Sequence, residues 1–293
     1  MNDVYLLFQK CFPQFQVPLN DFQELLPMKK CMIHKKINNN VCIGIIVWEK
    51  NKIRLLLVDP EFYEQGIGQE LLTYSESNIM DAGYDTVILG GKDSKLFLGA
   101  NVTKDEWDRQ SSDYFVKRGY VADNGCLEMK LILDDYFYPK EISPFPENIC
   151  FQYYSGGQEK LLNAVAKVDK AWVKYYKENH SVYVAMDGDE IAAFCILIFD
   201  DKTLLCKPEI KIGSIGCVGT VPKKRKQGIG LAMVAKATLE LKKHGCDISW
   251  IHYTYLDWWY GKLGYETYLR FWFGYKRLTK VMNMSETSDG NTL

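Results

Sequence analysis

Apolar positions along this chain fall into two rhythms, one of period two and one of helical period, and the rhythms alternate. Leu231, Val234, Ala235, Thr238 and Leu241 recur at helical spacing with Lys236, Glu240 and Lys243 elsewhere, which predicts an amphipathic helix lying on a sheet. Ahead of it, Val182–Met186 and Ile191–Phe199 read as a hairpin around Asp187-Gly188-Asp189, and an extended segment begins at Glu209-Ile210 and reaches Thr220. A strand over Ile248–Thr254 follows the helix, and residues 158–177 read as helical. In the first half, Ile53–Val58 and Val87–Leu89 read as strands around a helix that runs to about Met80. This order implies an α/β architecture, an α+β mixed sheet flanked by helices.

The two halves repeat each other. Gln-Gly-Ile-Gly occurs at 65–68 and again at 227–230, each time between a strand and a helix, and Tyr114–Tyr120 mirrors Trp259–Tyr265. We read a tandem duplication. Between the copies, Pro139 to Pro146 holds three prolines and cannot continue a helix or a central strand. The expected division is a first module over 1–138, a linker over 139–146, a second module over 147–282 and a frayed tail over 283–293.

Composition narrows the function classes. The 293 residues, 47% apolar and 14% aromatic, suffice for two cores. A formal net charge of −1 argues against a general binder of nucleic acid or membrane surfaces, so a local cluster of cations reads as a site. The longest apolar run, Ile191–Phe199, is too short to cross a bilayer, and the beginning of the chain lacks the pattern of a secretory leader. A soluble cytoplasmic protein is the expectation, with an oligomer open. Nine cysteines without a C-x-x-C pair read as reduced thiols and predict no metal site, with Cys217 set aside as a conceivable catalytic thiol.

The candidate chemistry concentrates at Val221–Gly230, where Lys223, Lys224, Arg225 and Lys226 precede Gly228 and Gly230 at the start of the helix. Glycines let backbone N–H groups approach phosphate oxygens, and a helix N-terminus adds about half a positive charge. That combination can hold a pyrophosphate. About thirty residues on lies Trp258–Tyr265, a short aromatic helix closed by Gly264.

Together the two motifs resemble the GNAT acyltransferase superfamily. Arg225, Gly228 and Gly230 occupy the defined positions of its R/Q-x-x-G-x-G/A loop, and Trp259, Tyr260, Lys262, Gly264 and Tyr265 match its F-Y-x-K-x-G-F run with two aromatic replacements. The resemblance implies two tandem GNAT folds and acetyl-CoA as cosubstrate. It implies that Arg225, Lys226, Gln227, Gly228, Ile229, Gly230 and Leu231 hold the pyrophosphate, and that backbone groups of Val218, Gly219 and Thr220 hold the pantetheine and the oxyanion. It places Tyr260 where the family keeps its general acid. The implied reaction is direct attack of a primary amine, expected to be that of a small molecule, on the thioester. A non-catalytic acyl-CoA binding or sensing protein is the alternative.

For the general base, Glu209 ranks ahead of His252, Asp257 and a water relay. The aromatic residues Trp250, Tyr253, Tyr255, Trp258, Trp259, Phe271, Trp272 and Phe273 divide between core and acceptor pocket, with an aromatic cage for a cationic amine as one expectation. The first half departs from the pattern. Asp59, Glu61 and Glu64 stand where the second half has cations, Tyr63 replaces the Arg/Gln, and Phe115 stands at the position of Tyr260. We therefore expect a degenerate first module, its carboxylates replacing the missing phosphate at the helix start. Its extra loop, Gly91–Gln110, resembles one found in two-module members of the superfamily.

Overall fold

The structure, a computed structural model, describes residues 2–279 apart from Lys92 and Ser143; the expected tail over 283–293 lies outside the described residues. The first half runs α1 (Asn2–Cys11), α2 (Leu19–Leu25), β1 (Met32–Asn38), β2 (Val41–Glu49), β3 (Lys52–Val58), α3 (Ile67–Asp81), β4 (Thr86–Leu89), β5 (Ala100–Asn101), α4 (Lys104–Asp108), α5 (Asp113–Val116) and β6 (Val121–Ile132). The second runs β7 (Ile149–Tyr153), α6 (Gln158–Ala166), β8 (Ser181–Asp187), β9 (Glu190–Ile198), β10 (Ile212–Thr220), α7 (Ile229–Lys243), β11 (Ile248–Thr254), α8 (Asp257–Tyr260) and β12 (Glu266–Arg277). No helix among the described residues is long and apolar enough to cross a membrane.

The twelve strands among the described residues join one sheet, in the order β1-β2-β3-β4-β12-β6-β11-β10-β9-β8-β7 with β5 beside β12. The halves exchange their last strands. β6, from the first half, pairs antiparallel with β11, and β12, from the second, pairs antiparallel with β4. The two exchanged strands pair with each other from Glu266↔Lys130 to Tyr275↔Val121. Each half therefore borrows a strand from the other, which a reading of two modules joined only by a linker does not anticipate. The irregular segment between β6 and β7 holds the prolines 139, 144 and 146.

Period-two alternation sets the layers. On β2 and β3 the residues Ile45, Val47, Leu55 and Leu57 pack under α1 and α2, whereas Ile43, Ile46, Trp48 and Ile53 pack with α3. On β9, Ala193, Cys195 and Leu197 face α7 while Phe194 and Ile196 face α6. The core beneath α1 continues across the exchanged strands to Trp250, Leu269 and Phe271. The helix expected over 158–177 is shorter: α6 ends at Ala166, Asp169 accepts a hydrogen bond from the N–H of Ala171, and two 3-10 turns follow.

The seam depends on a residue without a side chain. A Cβ at Gly125 of β6 would lie 2.5 Å from the carbonyl oxygen of Phe271 and 2.6 Å from the Trp107 ring. Backbone at that distance cannot yield cheaply. Gly125→Ala is expected to destabilise the chain by about 1–3 kcal/mol. Urea unfolding followed by circular dichroism checks this; a midpoint equal to that of the wild type would show that the seam accommodates the methyl group.

Candidate active site

Parallel strands β10 and β11 pair only over Ile212–Ser214 and Ile248–Trp250. Beyond the pair Ser214/Trp250 they diverge, leaving an open wedge. Glycines weaken β10 at this point: its pairing with β9 is broken between Gly216 and Gly219, and Cys217 adopts φ +49°. The bulge is held by the Tyr176 hydroxyl, which donates to the Cys217 carbonyl at 2.8 Å. β11 has a matching irregularity between Ile251 and Thr254, with Tyr253 at φ +52°. Val218, Gly219 and Thr220 thus line the wedge edge of β10, where β11 does not pair with them.

At the wide end of the wedge stands the N-terminus of α7. Pro222 starts a 3-10 turn, Lys226 takes φ +61° and Gly228 caps the helix in the left-handed region with no side-chain hydrogen bond. The first-turn N–H groups therefore stay available to a ligand. Arg225 Nε donates to the Thr220 carbonyl at 3.1 Å and Lys224 pairs with Asp187. Lys223 and Lys226 are exposed and make no ion pair among the described residues. Gly230 has a steric role: a Cβ there would lie 2.8 Å from Thr220 Oγ1 and 3.5 Å from the Trp259 ring.

Tyr260 closes α8 and is 7% exposed, beside Cys195 and Cys217. Burial, reinforced by those thiols, raises its phenol well above the ordinary tyrosine value, so the hydroxyl is protonated at neutral pH. The structure thus places Tyr260 beside the β10 bulge, and Arg225 next to the residues from Gly228 to Leu231 at the start of α7. Glu209 does not join them. It is exposed in the turn between Lys207 and Ile210, ahead of the first residue of β10. Asp257 is exposed in the first turn of α8, whose N-cap is Leu256.

His252 lies on β11 just past the apex of the wedge and is gripped from both sides. Nδ1 bonds Glu128 Oε1 at 2.8 Å, and Nε2 bonds Asp201 Oδ2 at 2.9 Å. The remaining Glu128 oxygen accepts from Trp250 Nε1 at 2.9 Å, and Asp201 also bonds the Ser214 hydroxyl. Desolvation opposes a charge on the ring, but the two carboxylates more than reverse it, and the imidazole is pushed up to about 10. Desolvation likewise opposes the Asp201 charge, and the hydrogen bond from His252 leads the effects that hold it below the usual carboxylate range. Sequence reasoning passed over Glu128, Asp201 and Ser214. The signal for Glu128 is its place in the buried run Cys126–Met129, where a carboxylate requires partners.

Aromatic residues near the site divide cleanly. Trp250, Phe271, Trp272 and Phe273 are core, Tyr253 stacks on Phe273, and Trp258 and Tyr255 are exposed. The Lys262 ammonium stands 5.2 Å over the Trp258 ring, so one face that the expected cage would use is already taken. None of the nine cysteines forms a disulfide, four of them are buried, and no group of metal-binding residues is found among the described residues.

The first half reproduces the wedge and the loop geometry. β3 and β4 pair only at Lys52/Ile88 and Ile53/Leu89, Glu64 matches Lys226 at φ +62°, and Gly66 matches Gly228 at φ +81°. Asp59 and Glu61 do not replace a phosphate at the start of α3, contrary to expectation. Asp59 accepts from the Glu61 N–H, and both carboxylates bind the Lys10 ammonium, at 2.7 and 3.0 Å. The start of α3 has no side-chain cap.

Residues 150–268 match the profile of the acetyltransferase (GNAT) domain. No curated protein matches the chain in sequence. Among solved structures, a GCN5-related glucosamine N-acetyltransferase region of a fungal multi-domain GH3 β-N-acetylglucosaminidase superposes with TM-score 0.74 at 21% identity, over 94% of this chain. The chain spans about a third of that protein, 36% of its length. A GCN5-related N-acetyltransferase from Sphaerobacter thermophilus gives TM-score 0.65 at 15% identity, covering 97% of this chain and 95% of the other. A tandem GNAT protein from the clavulanic acid biosynthesis pathway gives 0.61 at 12%, covering 94% of each. The domain match lies in the second half, over residues 150–268, and the fold of these GNAT proteins, one of them a tandem GNAT protein, is shared over nearly the whole length, so the chain is built of two tandem GNAT folds.

Proposed function

We propose that the second half transfers an acetyl group from acetyl-CoA to the primary amine of a small molecule, and that the first half is a degenerate copy, divided from it at 139–146. The observation that carries this reading is the wedge between β10 and β11, which runs from Tyr260 and the bulge at Cys217 to the uncapped start of α7 beside Lys223, Arg225 and Lys226. A diphosphate fits the wide end, because backbone N–H groups and cations converge there without a competing carboxylate cap. The residues from Arg225 to Leu231 would hold it. Backbone groups of Val218, Gly219 and Thr220 would pair with the pantetheine and the carbonyl oxygen.

In the reaction the amine nitrogen bonds to the thioester carbonyl, the carbon–sulfur bond breaks and the thiolate takes a proton. Tyr260 is the proposed donor, because its phenol is protonated and lies at the bulge. His252 is no proton acceptor at neutral pH, since Glu128 and Asp201 keep it an imidazolium. Glu209, in the turn at Lys207–Ile210 ahead of β10, stands apart from the wedge, so the proton the amine loses is proposed to leave through a water relay. The fungal region of similar fold is named for glucosamine, a small primary amine, which supports an acceptor of that class. Nine cysteines without a disulfide suit a cytoplasmic setting.

Tyr260→Phe is expected to leave acetyl-CoA affinity unchanged while lowering the rate of thiol release by about 10²–10⁴. Calorimetry and a thiol assay with a panel of small amines check the two arms. An undiminished rate would remove Tyr260 from the mechanism, and a panel that never yields free thiol would favour an acyl-CoA binding protein. Titration of the His252 ring by NMR is expected to show a midpoint near 10 rather than the ordinary 6.5. A folded value raised above the unfolded one means that the stability it contributes is fully present below about pH 6.5 and is lost as pH rises through about 10. Glu128→Gln should move the midpoint down; a midpoint near 6.5 in the wild type would contradict the charged cluster.

A further inference from the structure

The wedge of the first half opens into a cavity of about 740 Å³, within the size range of small-molecule sites. Its walls are mainly apolar, with Phe12, Leu55, Leu56, Leu89, Phe97 and Tyr114 among them. Two polar atoms on this wall are enclosed without a partner: the Tyr114 hydroxyl and Arg118 Nε. Both are fixed in place. The Arg118 guanidinium stacks 3.7 Å from the Tyr114 ring centroid, and its Nη1 donates to the Tyr114 carbonyl at 2.7 Å. Nothing among the described residues forms an ion pair with Arg118.

Of the other charges around the cavity, Glu64 is exposed in the loop before α3 and the rest are already committed. Arg54 binds Glu49 and Asp93, at 2.6 and 2.9 Å. Glu106 accepts from the N–H groups of Thr103 and Asp113. Glu76, behind Tyr114, takes the Tyr120 hydroxyl and the Lys276 ammonium. One cation and one hydroxyl donor remain, side by side at the wall of an apolar cleft. A buried donor without an acceptor is costly, and a carboxylate would satisfy both together.

We propose that the first half binds an apolar monocarboxylate, its head on Arg118 Nε and the Tyr114 hydroxyl and its tail along Leu55, Leu56, Leu89 and Phe97. A diphosphate does not suit the same place. The Tyr114 hydroxyl lies against Gly68 in the first turn of α3, where a phosphate would need to approach, and the exposed loop residue is Glu64 rather than a cation. A single arginine matches a single negative charge.

The test uses the full chain and decanoate as probe, with decanol as the uncharged control, by titration calorimetry in the presence and absence of saturating acetyl-CoA. One decanoate is expected per chain, with decanol at least about tenfold weaker and acetyl-CoA without effect on either. Arg118→Gln is expected to weaken decanoate about tenfold or more and leave decanol unchanged. Tyr114→Phe keeps the ring that supports Arg118 and is expected to weaken decanoate about threefold to tenfold, so it carries the test if Arg118→Gln does not fold. No binding of decanoate, equal affinity for decanol, affinity untouched by Tyr114→Phe, or displacement by acetyl-CoA would each overturn the proposal.

Discussion

The exchange of β6 and β12 is the constraint on which the rest of this structure depends. A strand at a sheet edge presents unpaired N–H and C=O groups, and each half on its own would leave such an edge beside β4 or β11. Exchange removes both edges and makes one sheet of two modules. It also delivers Glu128 into the second half, against Trp250 and His252, at the point where β10 and β11 part. The apex of the wedge is therefore built from both halves, although the loop that follows it comes from one.

The wedge itself follows from local chemistry. Gly213, Gly216 and Gly219 make β10 a weak strand: its pairing toward β11 ends at Ser214, and its pairing with β9, broken around the left-handed Cys217, resumes at Gly219. Backbone groups released in this way become available to a ligand. The cluster Ser214–Asp201–His252–Glu128–Trp250 pins the apex with charge-assisted hydrogen bonds, so the opening starts at a fixed place. Two carboxylates on one imidazolium leave one negative charge there, a setting that favours an approaching ammonium over an anion.

Much of this was legible in the sequence because it is local. Period-two and helical patterns place β3, β11, α3 and α7 within a residue or two and β10 within three, and the repeated Gln-Gly-Ile-Gly marks the two loops with matching backbone angles at Glu64 and Lys226 and at Gly66 and Gly228. The exchange was not legible, since pairing of β6 with β11 joins residues far apart in the chain and leaves the alternation of each strand unchanged. His252 illustrates the same limit: its charge depends on Glu128 and Asp201, which only the tertiary fold brings to it. The acidic residues of the first loop misled for another reason. Proximity to a helix start suggested that they cap it, but Lys10 on α1, distant in sequence, draws Asp59 and Glu61 aside.

The two halves keep one backbone and differ in charge. Lys223, Arg225 and Lys226 surround one helix start, while the other faces Tyr114 and Glu64. We infer that acetyl-CoA is held by the second half alone, and titration calorimetry of the full chain with acetyl-CoA decides this without knowledge of the acceptor. One site per chain is expected, lost when Arg225 and Lys226 are both changed to glutamate. Two sites per chain, or one site that survives those changes, would contradict it.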